Sequence, residues 1–265
     1  RVTGPNNDTA EAAIDIAVPI PKNTLKAASA NYYIAISSLY LEQPDAEQQI
    51  EYFVENNSEH PKAVFAYFEL GNFYYEGKKY DKVISTFEEV DADLLTIDQK
   101  NEMRFKLAYS YFSKKQFDNA KQLFDRIKNQ KHQYSSGASY YAGYIAFEQE
   151  NYNSAYQDFL RIKNDNTYRK IVIPNLVKIL YKQEKYKELI DFVSNNKIKS
   201  NESFLYVAES YFFQKEYDDA KTNYETYFNK SKRASDEVNY RYGFTLLQDK
   251  EYNKASQYFK KSALT

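Results

Sequence analysis

The sequence contains no cysteine and no tryptophan, and only six glycines and six prolines. Without cysteine the chain has no disulfide, no thiolate metal ligand and no thiol nucleophile, a composition that suits an oxidising compartment without proving one. Six glycines leave little for a phosphate-binding loop, and the sequence has no Walker loop, G-x-G-x-x-G, G-x-S-x-G or H-E-x-x-H motif. The sequence therefore offers no motif of a common enzyme class.

Net charge and long apolar runs are also lacking. The formal charge is −1, from 36 basic and 37 acidic side chains. So small a charge gives no long-range field for nucleic acid or an anionic membrane surface, and we expect no nucleic-acid partner. No apolar run approaches 18 residues, so the sequence predicts no membrane span. Because the first residue is Arg1, we expect a processed or partial chain.

Histidine is scarce as well. His60 and His132 both fall in predicted connections, with no second histidine or carboxylate at ligand spacing, and we expect both to be exposed loop residues. Acidic pairs such as Asp218 and Asp219 are adjacent in sequence and point apart on a helix, so they are typical of a solvated face. We predict no catalytic residue, no metal site and no cofactor.

What the sequence has in abundance is tyrosine (28) and phenylalanine (18), arranged in a repeat. Residues 66–90 read AYFELGNFYYEGKKYDKVISTFEEV, and the pattern returns five more times. One aromatic recurs at spacings of 37, 35, 34, 31 and 35 residues, as Tyr80, Phe117, Tyr152, Tyr186, Tyr217 and Tyr252. A period near 34 built from paired helices is the signature of a stacked helical array.

Each repeat is predicted to be two amphipathic helices joined by a turn. The aromatic is followed at +3 and +7 by apolar residues, for example Val83 and Phe87, which places all three on one helical face. A small residue lies nine before the aromatic, as Gly71, Ala108, Gly143, Val177, Ala208 and Gly243. We expect it to face the +3 residue across the hairpin. Hairpin five, with Val177 opposite Leu189, should then be the widest.

These residues resemble the tetratricopeptide repeat, which has a small residue at place eight, an aromatic near place eleven, a small residue at place twenty and an aromatic at place twenty-four. The match covers roughly residues 31–263, and its strongest copies are Leu70-Gly71-Tyr74-Val83-Phe87, Leu107-Ala108-Tyr111-Ala120-Phe124 and Val207-Ala208-Tyr211-Ala220-Tyr224. The resemblance implies an all-α fold, a right-handed α-α superhelix (solenoid) of about seven helical hairpins.

The predicted organisation is an irregular lead-in at 1–23 and a single array at 24–265. Its hairpins lie near 24–60, 61–97, 98–134, 135–168, 169–200, 201–234 and 235–265. The first is atypical, with Ser37 at the small place. In hairpin five, Pro174 predicts that the first helix begins at about Ile173 or is kinked there. The apolar face of the last hairpin, at Tyr252, has no cap, so we expect a longer protein or a dimer contact there.

The candidate binding surface lies on the first helix of each hairpin, whose places five, nine and twelve face the concave side in the family. Aromatic side chains are enriched in binding hot spots, so these places predict a groove for a peptide or protein segment. The alternative is that they pack between hairpins. The aromatics at these places are Phe68, Tyr75, Phe105, Tyr109, Phe112, Tyr140, Tyr144, Phe147, Tyr181, Phe212, Tyr240 and Phe244.

The same places give weaker support for other kinds of partner. Some repeats of this kind hold a carboxylate through lysine and asparagine, but Asn72, Lys178 and Lys182 fall in separate hairpins, so we expect no such clamp. Tyrosine rings also stack on sugars, which leaves a carbohydrate-binding surface open. A non-catalytic arm of a larger enzyme is the third interpretation.

Stretches such as FKLAYSYFSKKQFDNAKQLFDRIK and YYAGYIAFEQENY also look like the N-terminal array of large exported tetratricopeptide proteins of Gram-negative bacteria. That resemblance implies a periplasmic or outer-membrane-associated scaffold, with a cytoplasmic location as the alternative.

Overall fold

The computed structural model of the protein describes residues 25–231 and 233–263. Over these residues the chain forms fourteen α-helices, one short 3₁₀ helix at Ala92–Leu94 and no strand. The α-helices are α1 Leu25–Tyr40, α2 Ala46–Asn56, α3 Lys62–Glu76, α4 Tyr80–Glu88, α5 Ile97–Ser113, α6 Phe117–Ile127, α7 Ser135–Glu148, α8 Tyr152–Arg161, α9 Arg169–Lys182, α10 Tyr186–Asn195, α11 Asn201–Phe213, α12 Tyr217–Lys230, α13 Asp236–Gln248 and α14 Tyr252–Ser262. None of them is long and apolar enough to cross a membrane.

Consecutive helices form hairpins 1 to 7, and the first helix of hairpin 3 begins at Ile97, one residue before its predicted range. The chain divides into two compact bodies between Ala138 and Ser139, within α7, which we call the N-terminal and C-terminal bodies. The single array at 24–265 therefore stays a prediction, and the lead-in at 1–23 lies outside the described residues.

The first helices of several hairpins begin at a side-chain cap. Thr96, Ser200 and Ser235 each accept a hydrogen bond from the backbone N–H three residues later, and Gln99 closes a capping box at α5. Such caps satisfy donors that have no partner inside the helix. The Ser- and Thr-containing connections thus fix where these helices start.

The same helices end on a left-handed residue that is not glycine. After α5, Lys115 has φ 61°, its N–H bonds the Phe112 carbonyl at 2.9 Å, and the Gln116 N–H bonds the Tyr111 carbonyl at 2.8 Å. This is a Schellman motif. A left-handed residue stands seven after the small residue in every hairpin, at Glu42, Lys78, Lys115, Glu150, Glu184, Lys215 and Lys250.

This regularity corrects the register of hairpin 1. Glu42 lies seven residues after Ala35, and Ala35 is 2% exposed, so Ala35 occupies the small place. The prediction of Ser37 is wrong because it assumed a constant spacing. The second helix keeps its own register, with Ile50 and Val54 buried at places where hairpin 2 has Val83 and Phe87. The turn at 41–45 is longer than in later hairpins and absorbs the difference.

The small residue packs on the place-twenty-four ring in addition to the predicted +3 residue, whose carbonyl at Ala255 would lie 3.4 Å from a Cβ built on Gly243. A Cβ built on Gly143 would lie 2.8 Å from the Phe159 ring, and one built on Gly71 would overlap the Phe87 ring. In hairpin 5 the ring is replaced by Val193, which lies in one cluster with Val177. Val177 thus packs with both Val193 and the predicted partner Leu189, and the greater width of hairpin 5 stays a prediction.

The start of α9 also differs from prediction. The helix begins at Arg169, five residues before Pro174, rather than at about Ile173. The Tyr168 carbonyl accepts the N–H groups of Ile171 and Val172, both at 2.9 Å, so the first turn is formed. Pro174 has no N–H for the carbonyl of Lys170. Pro174 and Lys170 are both exposed, so water can satisfy that carbonyl and the helix tolerates the proline.

Candidate functional site

The place-five rings pack against the second helix of their own hairpins. Phe68, Phe105, Tyr140 and Tyr240 each contact the place-twenty-four ring of the same hairpin, with centroid distances of 5.5–6.3 Å. Phe105 also stacks on Tyr134 at 5.0 Å, and Tyr140 stacks on Tyr168 at 5.1 Å. Phe68 is 3% exposed, so it belongs to the core, and its assignment to the binding surface is corrected.

The place-twelve rings pack on the turn of their own hairpin. All five contact the aromatic that opens the second helix, at 5.7–6.4 Å, in the pairs Tyr75–Tyr80, Phe112–Phe117, Phe147–Tyr152, Tyr181–Tyr186 and Phe212–Tyr217. All five are partly buried. Burial raises the pKa of the Tyr75 hydroxyl well above its usual value, and the neighbouring Tyr109 raises it further. At place twelve the geometry favours packing over partner contact.

Place nine of one hairpin inserts into the ring pair of the hairpin before it. Tyr109 lies 5.8 Å from Tyr75 and 5.9 Å from Tyr80. Phe244 repeats this against Phe212 and Tyr217, at 5.9 and 5.7 Å. Tyr144 is partly buried, 6.5 Å from Tyr140. The predicted ladder is thus largely a seam that joins neighbouring hairpins, and its role in partner binding stays a prediction.

The polar residues at place nine also contact side chains of a neighbouring hairpin. The Asn72 side-chain oxygen accepts from Lys106 Nζ at 3.0 Å, and Lys178 Nζ lies 5.1 Å from the centre of the Phe147 ring. Neither points to a shared carboxylate site. Among the described residues, no group of three or more His, Asp or Glu side chains is placed to hold a metal ion.

The two histidines lie in connections, as predicted, but both are partly buried rather than exposed. His60 Nδ1 accepts from the Lys62 N–H at 3.1 Å. His132 Nδ1 accepts from the Tyr134 N–H at 3.1 Å, and its Nε2 lies 3.0 Å from the Ile127 carbonyl, which only an N–H at Nε2 can satisfy. Both rings therefore organise the backbone of their loops.

One aromatic surface remains open in the C-terminal body. It comprises Phe212, Phe213, Tyr240 and Arg241, and we call it the α11–α13 surface. Phe213 is 41% exposed and Tyr240 53%. Phe212, Tyr240 and Arg241 line a cavity of about 470 Å³ together with Asp236 and Glu237. Phe213 stacks on Tyr186 at 5.1 Å, and the Arg241 guanidinium lies 4.9 Å from its ring centre.

The buried carboxylate of Glu209 holds this surface in place. Glu209 is 2% exposed and accepts hydrogen bonds from Tyr224 Oη at 2.6 Å, from Tyr181 Oη at 3.0 Å and from Arg241. Burial alone would lower the pKa of Arg241, but the Glu209 carboxylate outweighs it and raises that pKa. The guanidinium is therefore charged, oriented and held against Phe213.

Sequence reasoning missed Phe213 and Arg241. The family's inward places five, nine and twelve skip both residues, because Phe213 stands at place thirteen and Arg241 at place six. The doublet Phe212-Phe213 was the available signal, since two adjacent aromatics on a helix cannot both face the core.

Comparison with known proteins agrees with this architecture. Residues 102–130, which span most of α5 and all of α6, match the family model of the tetratricopeptide repeat. The C-terminal part of a TPR repeat-containing protein from Cytophaga hutchinsonii has a similar structure, with a TM-score of 0.52 and 16% identity over 74% of this chain and 77% of that one. Residues 102–130 are therefore similar to a tetratricopeptide repeat, and the chain has the fold of a tetratricopeptide array.

A tetratricopeptide repeat protein from Parabacteroides merdae is also similar, with a TM-score of 0.47 and 18% identity over 88% of this chain and 92% of that one. No curated protein sequence matches the chain. The predicted fold class, an all-α array of tetratricopeptide hairpins, is confirmed. Arrays of this repeat generally mediate protein–protein interaction through extended surfaces.

Proposed function

We propose that this tetratricopeptide array is a non-catalytic scaffold that binds a peptide or protein segment, and that it does so through the α11–α13 surface. The observation that carries the proposal is the exposure of Phe213 and Tyr240, whose rings stay open while the neighbouring seam aromatics are packed. Rigid aromatics bring a large contact area at a low entropic cost, which is why they anchor binding partners.

The chemistry of the surface indicates the kind of segment that fits. The exposed part of the Phe213 ring and the ring of Tyr240 suit an apolar or aromatic side chain, and the cavity beside Tyr240 has room for it. Asp236 and Glu237 line that cavity, and although Glu237 also pairs with Arg241 at 3.5 Å, the acidic rim favours a basic residue next to that side chain. Arg241 is already paired with Glu209, so it orients the surface and is not expected to bind a carboxylate of the partner.

The polar clusters support a non-catalytic role because their carboxylates are already paired with side chains of the same or neighbouring hairpins. Glu209 is paired with Arg241, Tyr181 and Tyr224. Glu47 accepts from Tyr74 at 2.9 Å and from Lys79 at 3.0 Å, and also pairs with Lys82. A carboxylate held by several donors is a poor proton acceptor, so these groups serve as links between hairpins.

The test is a binding measurement with peptides of defined sequence. A random peptide library displayed on phage is selected on the purified protein, and the enriched peptides are titrated by fluorescence anisotropy. We expect enriched peptides to combine an aromatic with a basic residue. Truncating an anchor commonly costs 2 kcal/mol or more, so Phe213→Ala with Tyr240→Ala should weaken binding about thirtyfold or more.

The control is an equally apolar and exposed pair outside this surface. Leu94 and Ile97 are 58% and 75% exposed, and Leu94→Ala with Ile97→Ala should leave affinity unchanged. Unchanged affinity in the Phe213 and Tyr240 variant would place the site elsewhere. Selection that enriches no peptide, together with retention on an oligosaccharide array, would favour the carbohydrate-binding alternative.

We also propose that the scaffold works in the periplasm or at the outer membrane. The support is the resemblance to exported arrays and the absence of cysteine, which suits an oxidising compartment. Fractionation of cells that express the full-length protein tests this, and recovery in the cytosolic fraction would contradict it.

A further inference from the structure

Hairpin 1 carries an open groove between its two helices, with an apolar floor and asparagine and glutamine side chains along its rim. A cavity of about 300 Å³ is lined by Ile34 and Ala35 from α1 and by Tyr52 and Phe53 from α2. Ile34 is 42% exposed and Tyr52 57%, whereas Ala35 and Phe53 form its buried floor. The groove thus leaves two large apolar side chains in water on one face of the hairpin.

The place that Ile34 occupies is covered in every later hairpin. Ile34 directly precedes the small residue Ala35, and the residues at the same place are Leu70, Leu107, Ala142, Leu176, Val207 and Tyr242. All six are at most 8% exposed.

The later hairpins also show what covers this place. Val207 lies in one cluster with Leu189 and Val193, which belong to the second helix of the preceding hairpin. Tyr242 lies 5.2 Å from the Tyr224 ring and 5.0 Å from the Phe228 ring, again on the preceding second helix. The open groove in hairpin 1 is therefore shaped to receive an apolar segment in the position of a preceding helix.

The chain just before α1 contains a segment of that composition. Residues 12–18 read AAIDIAV, with six apolar residues around a single aspartate. Pro19 and Pro21 stand between this segment and α1, so one helix cannot run through both.

The connection is long enough for the segment to turn back. The seven residues from 18 to 25 reach about 23–25 Å when extended. Ile34 lies nine residues along α1 from Leu25, about 14 Å at 1.5 Å per residue.

We propose that residues 12–18 fold back and occupy this groove, so that the chain caps its own first hairpin. Ile14 and Ile16 are the side chains that would cover Ile34 and Tyr52. Asn31 lines the rim of the same groove, and its amide group can pair with the backbone of an extended segment. This cap goes beyond the proposed function, because it concerns the N-terminal body and needs no external partner.

The absence of native cysteine allows a direct test by cross-linking. Ile16→Cys with Tyr52→Cys, in the full chain, places one thiol in the segment and one in the groove. Mild oxidation should give an intramolecular disulfide, seen as a faster-migrating monomer on a non-reducing gel. The control pair is Ile16→Cys with Tyr40→Cys, because Tyr40 is 69% exposed and nearer in sequence. The Tyr52 pair should react at least about tenfold faster than this control.

Thermal unfolding gives a second readout that needs no new thiol. Ile14→Asp with Ile16→Asp should lower the melting temperature by about 2–4 °C, as expected for a loss of about 1 kcal/mol in a chain of this size. Thr3→Asp with Thr9→Asp adds the same charge outside the segment and should leave the melting temperature unchanged.

Equal cross-linking of the two pairs, or an unchanged melting temperature in the isoleucine variant, would overturn the proposal. A disulfide-linked dimer in place of the fast monomer would overturn it in favour of a second copy of the chain in the groove.

Discussion

The first helix of each hairpin ends at one left-handed residue that is not glycine, and this conformation costs free energy. The left-handed place is filled by lysine or glutamate in all seven hairpins. A residue with a Cβ pays roughly 1–2 kcal/mol to adopt this conformation, whereas glycine does not. The hydrogen bonds of the Schellman motif and the packing of the hairpin offset that cost.

Lys115→Gly should therefore stabilise the protein, by about 0.5–1 kcal/mol once the added freedom of the unfolded chain is counted. The measurement is urea unfolding followed by circular dichroism. Gln116→Gly is the control, since Gln116 has φ −86° and gains nothing from glycine. Destabilisation by Lys115→Gly would show that the lysine side chain makes a compensating contact.

Another residue-level effect concerns acid. Burial alone would raise the pKa of the Glu47 carboxyl, but hydrogen bonds from Lys82, Lys79 and Tyr74 outweigh it and lower that pKa to about 2. The stabilisation from this carboxylate is complete above its ordinary pKa near 4.5 and is lost as the pH falls towards 2.

We expect Glu47→Gln to be less stable than the native chain by roughly 1 kcal/mol at pH 7, with the gap closing between pH 4.5 and 2. Thermal unfolding across that pH range measures it. A gap that stays constant down to pH 2 would mean that Glu47 contributes through packing alone.

Within a hairpin, the residues at places eight and twenty-four compensate for each other in size. Where place eight is glycine, as at Gly143, place twenty-four carries a ring, as at Phe159. Where place eight is Val177, place twenty-four is Val193. This compensation indicates that the two places fill one space.

We expect Gly143→Val to cost about 1–3 kcal/mol by overpacking, and Phe159→Val to cost about 2–3 kcal/mol by leaving a cavity. The double variant should be more stable than the sum predicts by at least about 1 kcal/mol, because the new methyl groups occupy the space that the ring vacates. A double-mutant cycle in urea measures this. Strict additivity would contradict the shared-space interpretation.

Within each of the two bodies, the described helices contact mainly their neighbours along the chain. Stability in such an array is a sum of local terms, so damage should spread only to adjacent hairpins. Ala220 is fully buried among Tyr224, Val238 and Tyr242.

Ala220→Leu should accelerate amide hydrogen exchange in α9 to α14 and leave α8 at its native rate. Mass spectrometry of exchanged peptides resolves these helices. Uniform acceleration across the C-terminal body would instead indicate one cooperative core.

The sequence by itself determined the all-α fold of paired helices, because the 34-residue period and the i, i+3, i+7 faces are local patterns. It also located the aromatic places, although it assigned Phe68 to a groove when the fold buries it. The register of hairpin 1 was misjudged because its turn is longer, which spacing alone does not reveal.

Tertiary structure decided which aromatics remain open. Tyr75 and Tyr240 have the same kind of side chain on the same helix of their hairpins, yet Tyr75 lies against Tyr80 and Tyr109, whereas Tyr240 is 53% exposed. The physical reason is that exposure depends on what the neighbouring hairpin places against a ring. That neighbour lies roughly 34 residues away in sequence, beyond the reach of any local pattern.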